Sequence, residues 1–241
     1  MSTNVSTGVD PDAEQGPLAA HIQHTLIDSG VDAADIDRHC DECGTYGFDA
    51  AMVPAAWVSR VKQRLAGTSI KVASAVDFPY GAMTTAGKVA EIRALVDSGV
   101  DEIDVGVPIG HLRSGDAEYF SDDLAAMVAA AGAVPLKAML ELPLLAPAQR
   151  DVAVRLAISA GIAYLKNASS GKVGKATPEE IRYLRELAPP NVRVKASGGI
   201  STAEHARALL AAGADLVGTS NGVALVTAAS GDASAGSHPS Y

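Results

Sequence analysis

Two lysines stand where a soluble chain rarely keeps them. Lys166 ends the run Ala163-Tyr-Leu-Lys166, and Lys195 lies inside Arg193-Val-Lys-Ala-Ser-Gly-Gly-Ile200. Both runs are apolar and strand-like, and both break into small polar residues and glycine. Burying an ammonium costs several kcal/mol unless something compensates it, so two such placements on neighbouring strands point to chemistry. Adjacent strands lie about 4.8 Å apart. If both side chains point inward, each charge disfavours the other and burial pushes the same way, below the ordinary lysine value of about 10.4. An amine that is neutral near pH 7 can attack a carbonyl and form a Schiff base, and the protonated iminium is an electron sink for making or breaking a carbon–carbon bond. That step needs an acid/base, for which Asp104 with a water is the candidate. Spacing alone does not say which lysine is the nucleophile. A single inward lysine is more simply half of a structural ion pair, and Lys137, near Asp104 and Glu141, suits that role.

The same segments carry loops suited to an anion. Ser197-Gly-Gly199 follows one lysine strand, Gly218-Thr219-Ser220 follows the next, and the Lys166 strand runs into Ser169-Ser-Gly171-Lys172. Glycine lets the backbone approach a phosphate, and free amides donate to it. Gly171, Lys172, Gly198, Gly199, Gly218, Thr219 and Ser220 are therefore the expected phosphate-binding residues.

These residues must be positioned by a repeated scaffold. Strand-like runs occur at 21–26, 49–53, 71–78, 102–107, 136–141, 164–168, 192–197 and 216–219. Helical periodicity follows at 33–43, 55–65, 84–97, 117–130, 147–160, 178–187 and 202–212. Thr177-Pro-Glu-Glu180 and Ser201-Thr-Ala-Glu204 look like helix starts, and Gly99, Gly161 and Gly213 like helix ends. Strands alternating with helices imply a parallel sheet. The repeat count, with no G-x-G-x-x-G fingerprint after the early strands, favours a single-domain (β/α)8 TIM barrel over an open doubly wound sheet. In that fold the active site lies at the C-terminal strand ends, with phosphate near the loops after strands 7 and 8. The expected organisation is a disordered arm at 1–17, the barrel at 18–227 and a flexible tail at 228–241.

Composition narrows the partners. A net charge of −9 on 241 residues argues against nucleic acid or an anionic membrane surface as partner. No apolar run approaches the roughly 18 residues of a membrane span, and the polar, acidic start does not resemble a signal peptide, so a cytoplasmic protein is expected. Cys40 and Cys43 form a lone C-x-x-C and are read as ordinary helix residues. The six histidines look scattered along the chain, which argues against a metal site. The expected partner is a small phosphorylated aldehyde or sugar; barrels of this size are often homodimers.

At the lysine strands the chain resembles the deoxyribose-phosphate aldolase family, over roughly 21–226. The matching segments are Val194-Lys-Ala-Ser-Gly-Gly-Ile200, Gly218-Thr-Ser220 with Gly222-Val-Ala224, Asp101-Glu-Ile-Asp104, Phe78-Pro79 with Gly81, and His24-Thr-Leu26. The resemblance implies a class I aldolase that reversibly cleaves 2-deoxyribose 5-phosphate to acetaldehyde and glyceraldehyde 3-phosphate, without metal or cofactor. It also implies that Lys166 forms the Schiff base, Lys195 lowers its pKa and Asp104 joins the proton relay. The chain departs from the family at Gln23, where Asp is common, at Leu142, where Thr is common, at Val53, where a polar residue is frequent, and at Asn167-Ala-Ser-Ser170, where Thr-Ser-Thr-Gly is usual. Loss of two hydroxyls beside Lys166 would shift the carbonyl substrate accepted. Alternatives on the same scaffold are a phosphosugar isomerase or epimerase working through carboxylates, and a non-catalytic phosphometabolite-binding barrel. Tyr241, on the small-residue tail, is an auxiliary candidate for proton transfer or phosphate binding.

Overall fold

A computed structural model describes residues 18–229; the expected arm at 1–17 and most of the expected tail, with Tyr241, lie outside them. Eight parallel strands close into a barrel in sequence order. They are β1 Ile22–Thr25, β2 Ala50–Met52, β3 Lys71–Val76, β4 Glu102–Gly106, β5 Leu136–Met139, β6 Tyr164–Lys166, β7 Arg193–Ser197 and β8 Leu216–Thr219. This is the expected (β/α)8 TIM barrel.

Period-2 alternation divides every strand between two environments. Ile22, Ala51, Val72, Ile103, Val105, Leu136, Ala138, Leu165, Val194, Ala196 and Val217 join the core between barrel and helices. The alternate positions face the barrel axis. Ala50, Met52 and Ala73 form a small apolar cluster there, Met139, Tyr164 and Leu216 are also buried on that face, and beside them lie Gln23, Glu102, Asp104, Lys137, Lys166 and Lys195, all buried. Branched aliphatic residues usually fill such an interior. Here one side of it is ionic.

Helices start where local chemistry favours them. The Thr177 hydroxyl accepts from the Glu180 amide at the start of Pro178–Leu187, with Pro at N1. For Ala203–Ala211 the cap is Thr202, accepting from the His205 amide, one residue later than Ser201. Gly99, Gly161 and Gly213 end helices with positive φ, as expected. The helical stretch 55–65 divides into a 3-10 turn at Ala55–Trp57 and a helix at Val58–Arg64. Two short helices escaped the sequence patterns, Ile109–Arg113 and Gly222–Ala229. The second carries regular structure two residues past the expected boundary at 227. Cys40 and Cys43 are free and buried in the core face of the helix Ala33–Tyr46; burial pushes the Cys40 thiol up to about 11 and the Cys43 thiol higher still. No described helix is long and apolar enough to cross a membrane.

Candidate active site

Strand register puts the two lysines side by side, with Lys166 paired to Lys195 across β6 and β7. Both point inward, and both ammonium groups donate to one oxygen, Asp104 Oδ2, at 2.7 Å each. Asp104 on β4 is fully buried and lies beneath the lysines, in register with Lys137 on β5. Lys137 approaches Asp104 Oδ1 at 3.2 Å and Glu102 at 2.7 Å. Glu102 is also reached by Lys71 at 3.3 Å and by the Gln23 amide at 2.7 Å. The polar floor is thus continuous from the lysine pair to the N-terminal end of the barrel.

Partner counting explains the electrostatics. Burial raises the cost of every charge here, and the lysines differ in how much anion repays it. Lys137 has two carboxylates, which outweigh burial and hold it above the ordinary lysine value. Lys195 has a share of Asp104 and the neutral amide of Gln23. Burial, reinforced by Lys166 and Lys137, overcomes the pull of Asp104 and brings Lys195 down to about 7. Burial pushes the carboxyl of Asp104 up, but three lysines hold it far below the carboxylate range. Burial opposes Glu102 too, yet Lys137 and Lys71 bring it down to about 2. Proton deficiency near neutrality therefore resides on Lys195, one carboxylate oxygen away from Lys166. The expected depression of a lysine is present, and it falls on Lys195.

Gln23 orders this floor. Its Nε2 donates to Asp49 Oδ2 at 2.9 Å and to Glu102 Oε2 at 2.7 Å, so Oε1 must face Lys195, which donates to it at 2.7 Å. Flipping the amide would set its oxygen against two carboxylates and its NH2 against an ammonium. The sequence marked Gln23 as a departure; its bridging role comes only with the barrel register.

Above the lysines opens a cleft whose rim includes Gly171, Gly198, Gly199, Gly218, Thr219 and Ser220, as expected. Its wall includes Ser169, Ser170 and Ser197 from the expected loops, with Phe78, and also Thr25 and Asn221, which had not been singled out as site residues. Lys172 is exposed and is not among the residues that line the cleft. The Thr219 hydroxyl donates to the Ile200 carbonyl at 2.7 Å, so it braces the loop. Gly218 is needed sterically, because a Cβ there would lie 2.9 Å from Lys195 Cε and 2.5 Å from Ser197 Oγ.

The departure at Asn167-Ala-Ser-Ser170 falls on the loop that leaves Lys166. Asn167 turns away, donating to Glu180 and accepting from the Ser197 amide at 2.9 Å, and so ties β6 to β7. Ser169 and Ser170 take the cleft positions, and both hydroxyls are buried with no hydrogen-bond partner among the described residues. Glu141, at φ 49°, receives the Ser169 amide at 3.0 Å and holds that turn. Asp77, just after β3, braces a loop, accepting from the Met83 amide at 2.9 Å and pairing with buried Lys88 at 3.4 Å.

Such a floor suits amine attack on a carbonyl at the mouth of the barrel. Fold and relatives together give the class: a barrel aldolase, a lyase. A deoxyribose-phosphate aldolase from Brevibacillus brevis is 40% identical over 209 residues, covering 87% of this chain and 95% of that protein. One from Methanocella arvoryzae is 37% identical over 223 residues, covering 92% and 99%. Among solved structures, the deoxyribose phosphate aldolase from Aeropyrum pernix, described as having a unique tetrameric structure, superposes with a TM-score of 0.81 at 28% identity, over 92% of each chain. No protein-family model matches the chain. The chain belongs to the deoxyribose-phosphate aldolase family.

Proposed function

We propose that this protein catalyses the reversible cleavage of 2-deoxyribose 5-phosphate to acetaldehyde and glyceraldehyde 3-phosphate through a Schiff base on Lys166. The observation that carries the proposal is the pair of 2.7 Å contacts from Lys166 and Lys195 to the single oxygen Asp104 Oδ2. Lys195, at about 7, is available without its proton and can take one from Lys166 through that oxygen. The Lys166 amine then adds to the aldehyde carbon of the open sugar, and loss of water gives the iminium. A base removes the proton from the hydroxyl on C3, the C2–C3 bond breaks, and its electron pair moves into the iminium to give an enamine. Glyceraldehyde 3-phosphate leaves; protonation of the enamine and hydrolysis release acetaldehyde and the free amine. Asp104 rests as a carboxylate and relays protons among the two lysines and water, each proton held on Oδ2 only in passing.

The phosphate is placed on the rim formed by Gly171, Gly198, Gly199, Gly218 and Ser220, with backbone amides as the principal donors. The hydroxyls of Ser169, beside the Glu141 carboxylate, and of Ser170 are suited to the sugar hydroxyls between phosphate and lysine. They also favour a second reading, an aldolase of this family taking a different aldehyde pair, because their placement departs from the usual Thr-Ser-Thr-Gly. Acetaldehyde release from 2-deoxyribose 5-phosphate, beside a panel of other phosphorylated and unphosphorylated aldehydes, separates the two. Robust cleavage of 2-deoxyribose 5-phosphate supports the first; turnover only of another pair supports the second. The expected homodimer is tested by light scattering.

A further inference from the structure

The histidines are not all scattered: His24 and His39 meet outside the barrel. His24 alternates with Gln23 and Thr25 on β1 and therefore faces the helix Ala33–Tyr46. That helix presents His39 and Glu42, three residues apart and so on one face. The imidazoles stack at 4.5 Å with a 25° tilt, and Phe48 packs on His24 at 5.0 Å. His24 Nε2 lies 2.9 Å from Glu42 Oε2. One ligand-capable atom from each of the three side chains falls within 4.8 Å of the others.

We propose that His24, His39 and Glu42 bind one divalent transition-metal ion of the zinc class, in a site separate from the aldolase cleft. Two imidazoles and one carboxylate are the donor set that such ions take, with a fourth position left to water. Tetrahedral bonds of about 2.05 Å set neighbouring ligand atoms about 3.3 Å apart. The His24–Glu42 pair already sits near that spacing, and the third donor, within 4.8 Å of both, closes on them when the ion binds. His39 Nε2 is buried with no hydrogen-bond partner among the described residues, while the ring also contacts the His24 backbone. A histidine ready to bind an ion keeps a ring nitrogen free in this way. His24 Nδ1 is also unpartnered, but it packs against Gly222, where an added Cβ would lie only 2.7 Å away; Nε2 is the donor. A histidine–carboxylate pair stacked on a second ring leaves His39 Nε2 unexplained, and an ion accounts for it.

Access is open. The three residues line a cavity of about 310 Å³ with Asp28, Asp35 and Arg38. Thr25 and Ser220 belong to this cavity and to the substrate cleft, so an ion would tie the Ala33–Tyr46 helix to the strand that forms one cleft wall. The ion takes no part in carbonyl chemistry, because His24 faces away from the lysines.

The test uses the full chain, free of any affinity tag, stripped with chelator and titrated with zinc sulfate by calorimetry. Bound metal is counted by elemental analysis after desalting. One equivalent is expected, with Tm raised by about 5–10 °C at free zinc 100 times Kd. His39→Leu is expected to weaken binding about 100-fold and abolish the Tm shift while keeping aldol cleavage and the far-UV spectrum of the parent; Glu42→Gln is expected to weaken it at least about tenfold. No bound zinc in a folded parent overturns the proposal. So does equal binding by His39→Leu, or binding lost only on Cys43→Ala, which would assign the ion to the thiols.

Discussion

Gln23→Glu tests how the floor sets the charge of Lys195. The substitution keeps length and shape but places a carboxylate at the atom that now accepts from Lys195 Nζ at 2.7 Å. Coulomb attraction at that distance is about 6 kcal/mol for an effective dielectric of ~20. Part is cancelled, because the new charge faces Asp49 and Glu102, which lose their amide donor. The net effect is taken as the usual influence of a close opposite charge, about 1–3 pKa units or roughly 1.4–4 kcal/mol. Lys195, now at about 7, moves to about 8–10, and its neutral fraction at pH 7 falls from about one half to between about one tenth and one thousandth. The limb of kcat/KM against pH that reports the free amine is expected to move alkaline by about 1–3 units. Turnover recovers at high pH. Gln23→Met, which removes the acceptor without adding charge, is expected to leave the limb in place or move it acid. A uniform loss of activity with an unmoved limb in Gln23→Glu would refute the reasoning and reduce Gln23 to a packing residue.

Other outcomes follow from the same geometry. Gly218→Ala is expected to lower kcat/KM at least about tenfold with under about 2 kcal/mol of destabilisation, because the new methyl displaces the Lys195 stem; stopped-time assays and urea melts check both halves. Lys172→Ala is expected to leave KM within about twofold, since that side chain is outside the cleft. Stability should fall in acid: Glu102 sits at about 2 against its ordinary 4.5, so its contribution is complete above about 4.5 and is lost as pH falls through 2, as urea midpoints between pH 6 and 2 would record. Lys195 has the opposite consequence, a folded value of about 7 below its ordinary 10.5. Its unfolded form holds the extra proton in that window, so stability is expected to rise as pH goes from 7 toward 10.

The barrel was legible because its signals repeat. Period-2 apolar runs, Thr177 as a cap and Gly99, Gly161 and Gly213 as helix ends are local features that tertiary structure did not override. That Lys166 and Lys195 stand out was legible because lysine in an apolar strand is costly, and the structure brings both to Asp104. The rest depends on register. Nothing in the sequence says that Gln23 faces Lys195, 172 residues away, or that Asn167 turns from the cleft while Ser169 and Ser170 turn into it. Lys172 was placed by proximity to Gly171, but a loop turns sharply within one residue and carries that side chain into solvent. His24 and His39 looked separate for the same reason: only the packing of a helix on β1 brings them together.

The most direct test of the account is borohydride trapping. Reduction of the protein with 2-deoxyribose 5-phosphate or acetaldehyde, followed by peptide mass mapping, is predicted to place a single stable adduct on Lys166, absent from Lys166→Ala and retained at reduced yield in Lys195→Met. An adduct on Lys195 would reverse the assigned roles. No adduct on the folded protein with either compound would contradict the account.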